Sequence, residues 1–122
     1  MVAEVHDVLD RVAELWARGD AGAIAGLTSE SGVDFEVAGV SMGSLSGRKL
    51  SAALRRVFED RVTVDVQFQT TSPVRGVEDR AYGELRWTLR AGGASVPERT
   101  TVFLALAHER AGWRVTQIRI LE

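Results

Sequence analysis

Residues 100–122 read TTVFLALAHERAGWRVTQIRILE. Two runs of β-branched, aromatic and aliphatic residues, Thr101 to Ala107 and Trp113 to Leu121, flank a five-residue polar segment, His108 to Gly112. A loop of that length with a glycine predicts a β-hairpin. Side chains alternate across a strand, so Val102, Leu104 and Leu106 fall on one face of the first run and Phe103, Ala105 and Ala107 on the other. A strand apolar on both faces needs cover on both. On the second run, strict alternation puts Trp113, Val115, Gln117, Arg119 and Leu121 on a common face.

Upstream of this hairpin the same period of two persists. Val62, Val64, Val66 and Phe68 alternate with Thr63, Asp65, Gln67 and Gln69, a run that ends near Pro73. Leu85, Trp87 and Leu89 oppose Tyr82, Glu84, Arg86, Thr88 and Arg90 in the next strand. The links between them, a turn at Val74 to Asp79 containing Gly76 and a loop at Ala91 to Pro97, are short. Short links make antiparallel neighbours, so the four strands form a meander.

The first half of the chain has a helical period instead. Val5, Val8, Leu9, Val12, Leu15 and Trp16 make one apolar stripe, with charged residues on the other positions. Gly19 ends this helix, and Asp20 caps a short second one through Leu27. Val33, Phe35 and Val37 alternate with Asp34 and Glu36 in a half-buried strand. A glycine- and serine-rich stretch, Ser41 to Gly47, follows, anchored by Met42 and Leu45. Ser46 then caps a third helix that buries Leu50, Leu54, Val57 and Phe58. Two helices, a strand, a helix and four strands predict an α+β fold in which a curved sheet wraps a long amphipathic helix. The helices cover one face of the sheet, and a second copy of the chain is the simplest cover for the other, as a two-fold homodimer.

Bulk properties narrow the function classes. The 122 residues form a single domain, 1–122, of ordinary globular composition. Fifteen basic and seventeen acidic residues leave a formal charge of −2, which predicts neither a nucleic-acid partner nor an anionic membrane partner. The absence of cysteine removes disulfides, thiolate metal sites and a cysteine nucleophile. With two well-separated histidines, His6 and His108, no metal site is expected, nor any cofactor. The first residues lack a basic segment followed by an apolar run, so a cytoplasmic location is expected, with a processed secreted domain as the alternative.

An amphipathic first helix, Gly19-Asp20 opening a short helix, a strand, Leu45-Ser46-Gly47-Arg48 opening a third helix, and four strands ending in Gly112-Trp113-Arg114-Val115 together resemble the nuclear transport factor 2-like superfamily, and its SnoaL-like branch most. The resemblance spans the whole chain through short, fold-level motifs. It implies a cone-shaped α+β domain: N-terminal helices packed on a strongly curved, mostly antiparallel β-sheet, with a pocket between the two and dimerisation through the sheet. It also implies a wide choice of roles, from cyclases and isomerases to binding and assembly domains.

Cyclase-like and isomerase-like members would carry a carboxylate base in the pocket. Asp34 and Glu36 lie on the first strand, but they alternate with Val33, Phe35 and Val37 and so point away from what those side chains cover. On the last strand, where SnoaL-type cyclases carry an acid, this chain has Thr116, Gln117, Ile118, Arg119 and Ile120. His6 and Asp10 are one helical turn apart, on the polar side of the first helix. The expected pocket residues are Trp16, Phe35, Trp87, Phe103 and Trp113 as apolar wall, with Gln117 and Arg119 as polar groups, either lining the pocket or facing a partner. The leading reading is a non-catalytic, dimeric domain that binds an apolar small molecule in the helix–sheet pocket. The alternatives are a cofactor-free cyclase or isomerase, and an assembly module that uses the outer sheet face.

Overall fold

The computed structural model describes residues 2–73 and 79–121, with all side chains in these ranges except those of residues 2, 3 and 69–73. The elements in chain order are α1 (Val2–Arg18), α2 (Ala21–Ala25), β1 (Val33–Val37), β2 (Val40–Leu45), α3 (Gly47–Glu59), β3 (Arg61–Pro73), β4 (Arg80–Ala91), β5 (Glu98–Glu109) and β6 (Gly112–Leu121). The strands form one sheet in the order β2-β1-β6-β5-β4-β3. All neighbours are antiparallel except β1 and β6, which run parallel. The meander read from the period of two is therefore β3 to β6, and the helices pack on one face of its curve. The turn expected over Val74–Asp79 lies, apart from Asp79, outside the described residues.

The helix signals act as their chemistry dictates. The α1 stripe of Val5, Leu9, Val12, Leu15 and Trp16 is buried. The helix stops where Gly19 takes φ +66°, which lets its N–H reach Trp16 O and the Asp20 N–H reach Leu15 O, both at 3.0 Å. The Asp20 carboxylate then accepts the Ala23 N–H at 3.1 Å and starts α2. Ser46 Oγ accepts the Lys49 N–H at 3.4 Å at the start of α3, which buries Leu50, Leu54 and Val57. A serine cap thus accounts for the polar start of this helix.

Strand β2 is the element the sequence conceals. Val40 to Ser44 are all exposed, so no apolar alternation marks them. The hairpin closes through a two-residue turn, Ala38-Gly39, with both residues at positive φ, 51° and 81°. That is the type I′ geometry whose twist matches paired strands, here without the usual Asn or Asp in first place.

Two bulges correct the faces expected from strict alternation. On β6, Ala105 pairs with Gln117 and Leu106 with Val115, so Thr116 has no partner on β5. One extra residue turns everything beyond it over. Trp113 and Val115 therefore share the inner face with Ile118 and Ile120, all buried, while Gln117 and Arg119 lie outside. On β3, Thr63 pairs with Leu89 and Asp65 with Thr88, leaving Val64 over. Val62 and Val64 are consequently exposed, and Val66 and Phe68 point inward.

The inner face of the sheet and the helices enclose a core that includes Leu85, Val102, Leu104 and Leu106. At its centre Trp16, Phe58 and Trp87 meet edge to face, with ring centroids 5.2, 5.4 and 5.9 Å apart. This is the arrangement that ring quadrupoles favour. The Trp87 Nε1–H donates to Thr63 Oγ1 at 2.9 Å, which satisfies the polar atom of that ring.

Candidate functional site

The α3 helix does not lie flat on the β1–β2 hairpin. One of its stripes runs Lys49, Ala52, Ala53, Arg56, at the spacing of residues stacked along one side of a helix. The two middle positions carry only a methyl group, so helix and hairpin cannot close on each other there. The result is a groove of about 420 Å³, within the range of about 300–1,000 Å³ usual for small-molecule sites. Val37, Met42 and Leu45 form the hairpin wall, Ala52, Ala53 and Val57 the helix wall, and Arg61 closes the end at the start of β3. Met42, half exposed, has its side chain in the groove instead of the core.

Electrostatically the groove is one-sided. Among the described residues, its charged lining residues are Lys49, Arg56 and Arg61, and no Asp, Glu, His or Tyr lines it. The facing hairpin carries no charge at all from Val37 to Leu45. Arg61 is anchored, donating from Nη1 to Val57 O at 3.2 Å. Such a groove can solvate an apolar body and a negative charge.

Among the described residues, the seven expected pocket residues are spread over the core, the outer sheet face and the far end of the sheet. Trp16, Phe35 and Trp87 are at most 1% exposed, inside the core. Phe103 lies on the outer face of the sheet against Tyr82, ring centroids 5.7 Å apart. Gln117 and Arg119 share that outer face as a consequence of the Thr116 bulge. Trp113 is at the far end of the sheet, its ring tilted against His108 at 5.2 Å beside a depression shared with Val8 and Leu27. The groove residues were missed because Met42 and Leu45 read as anchors of a loop, and Ala52 and Ala53 as unremarkable helix formers. The legible signal was the alanine pair between Lys49 and Arg56, on the side of α3 next to its apolar stripe.

The other candidates lie at or near the surface. Asp34 is exposed, and Glu36 accepts from Arg119 Nε at 3.2 Å on the outer face. The exposed His6 ring lies against Phe68, centroids 5.1 Å apart, and among the described residues no hydrogen bond joins it to Asp10. Among the described residues, no three His, Asp or Glu side chains come together as metal ligands. No helix of the described residues is long and apolar enough to cross a membrane.

Comparison with solved structures places the architecture. A ketosteroid isomerase-like protein from Erwinia carotovora atroseptica superimposes with a TM-score of 0.75 at 15% identity, over 98% of this chain and 93% of that one. An NTF2-like protein with a cystatin-like fold from Novosphingobium aromaticivorans gives 0.66 at 17% identity, over 98% and 79%. A DUF4783 family protein from Bacteroides uniformis gives 0.75 at 12% identity, over 91% and 93%. No protein-family model and no curated protein matches the sequence. The chain thus has the cystatin-like fold of nuclear transport factor 2-like and ketosteroid isomerase-like proteins. At these identities the likeness is one of fold.

Proposed function

We propose that this chain is a non-catalytic nuclear transport factor 2-like domain that pairs with a second copy through its outer sheet face and holds an apolar small molecule in the groove between α3 and the β1–β2 hairpin. The observation that carries the reading is the filled interior. Trp16, Phe58 and Trp87 fill the centre of the core, which leaves surface grooves for a ligand, and the one between α3 and the β1–β2 hairpin has a mainly apolar lining with no acid or imidazole among the described residues.

The outer sheet face supports the pairing. Tyr82 and Phe103 lie ring against ring at its middle, on adjacent strands, beside the small side chain of Ala105. Arg86, Gln117 and the Arg119–Glu36 pair lie around them. An aromatic centre with a polar surround is the composition of a protein–protein contact, and a two-fold axis lets one such patch serve both partners.

The test has two arms. Sedimentation velocity over a wide concentration range should show a dimer, and a species that stays monomeric throughout sinks the pairing. Titration with an apolar ligand such as 1-octanol, followed by calorimetry, should show one saturable site that Ala53→Trp abolishes by filling the groove. Binding that survives this substitution places the ligand elsewhere.

A further inference from the structure

We infer that the groove selects an amphipathic acid, an apolar chain or ring system ending in a carboxylate, over neutral or cationic molecules of the same shape. The inference rests on the groove being a ligand site, as proposed above, and adds the chemical class. Its basis is charge complementarity. Lys49 and Arg56 stand at either end of the Ala52–Ala53 floor, seven residues and so about 10 Å apart along the helix. Among the described residues neither makes an ion pair.

No acid lines the groove beside them, and Glu59 and Asp60, one turn beyond Arg56, form no ion pair with it among the described residues. The facing wall from Val37 to Leu45 has no acid, and the acid just before it, Glu36, is held by Arg119 on the opposite face of the sheet. Lys49 also sits in the first turn of α3, where the helix dipole adds positive potential to its own charge. The low-polarity floor matters as much as the cations. A carboxylate brought against Met42, Leu45 and Val57 loses water on one side, and the remaining field at that point comes from cations. Arg56 offers the planar, two-pronged donor set that fits a carboxylate, while the methyl floor accommodates the apolar body. An ammonium in the same place would meet like charge at both ends.

The experiment compares octanoate, 1-octanol and octylamine by calorimetry against the intact chain and three variants. Octanoate should bind about tenfold more tightly than octanol, as expected for one charge-assisted contact at a partly exposed site, and octylamine should bind more weakly than both. Arg56→Gln should remove most of the octanoate advantage and Lys49→Gln part of it, with octanol affinity unchanged in both. Raising the salt concentration should weaken octanoate alone. Equal binding of all three ligands, each lost in Ala53→Trp, overturns the acid preference and leaves the groove as a site. A preference for octylamine that is lost in Ala53→Trp does the same. No binding by any of the three, or binding that Ala53→Trp leaves intact, overturns the groove itself.

Discussion

Arg119 and Glu36 stand side by side in register on parallel strands β6 and β1, the guanidinium Nε donating to the carboxylate at 3.2 Å. Each is a separate candidate for site chemistry when the sequence is read alone, and the fold uses each to hold the other on the outer face. Both are partly exposed, so the pair contributes at most about 1 kcal/mol to stability. Its larger effect is on placement. A cation and an acid that could have served a cavity are instead components of the sheet surface where a second copy is proposed to dock.

That surface can be separated from the core by two substitutions one residue apart. Leu104 is fully buried under the helices, while Phe103 points out against Tyr82. Leu104→Asp puts an unpaired carboxylate in the core and should cost more than about 4 kcal/mol, enough to abolish folding. Phe103→Asp should give a folded chain that sediments as a monomer. Circular dichroism and sedimentation read the two outcomes, and equal loss of folding in both would mean that both faces belong to one core.

Thr63→Val tests the single polar contact inside the aromatic centre. The hydroxyl accepts the Trp87 indole N–H at 2.9 Å, and a valine of nearly the same shape removes the acceptor. An unpaired, part-buried donor should lower stability by about 1–3 kcal/mol in urea unfolding, whereas Thr63→Ser should keep most of it. Equal stability of the valine and serine variants would show that the bond contributes nothing.

Ala38→Gly should stabilise the β1–β2 hairpin slightly. Ala38 holds φ at +51°, a conformation costing an L-residue about 1–2 kcal/mol. Glycine avoids that strain but loses about 0.5–1 kcal/mol of chain entropy on folding. The net gain should therefore be at most about 1.5 kcal/mol, visible as a raised urea midpoint. A lowered midpoint would mean that the alanine methyl makes a contact worth more than the strain.

Much of the architecture was legible because it rests on repeated signals. Five residues of the α1 stripe, the Asp20 and Ser46 caps and four alternating strands each point the same way, and the folded chain follows them. What escaped rests on single residues. Thr116 and Val64 look like ordinary strand residues, yet each is the extra one that turns its strand over, which is why Gln117 and Arg119 were set beside Trp113 and Val115 and why Val62 was set beside Val66. No composition marks a bulge of this kind, because it is fixed by pairing with a neighbour far along the chain. The β2 strand escaped for the opposite reason: nothing in it is buried deeply enough to produce a pattern. The groove follows from that omission, since one of its walls is β2.

The parallel pairing of β1 with β6 also has a consequence in time. Glu36 and Arg119 are 83 residues apart in sequence, and β1 has no neighbour on that side until β6 exists. On a growing chain, the α1 stripe and the β1–β2 hairpin emerge first and must wait for the final strand before the sheet closes across them. Contacts of such long range close late and slowly. The interval leaves one edge of β1 unpaired on a nascent chain, so this domain should rely on quick completion or a holding chaperone more than its modest length suggests.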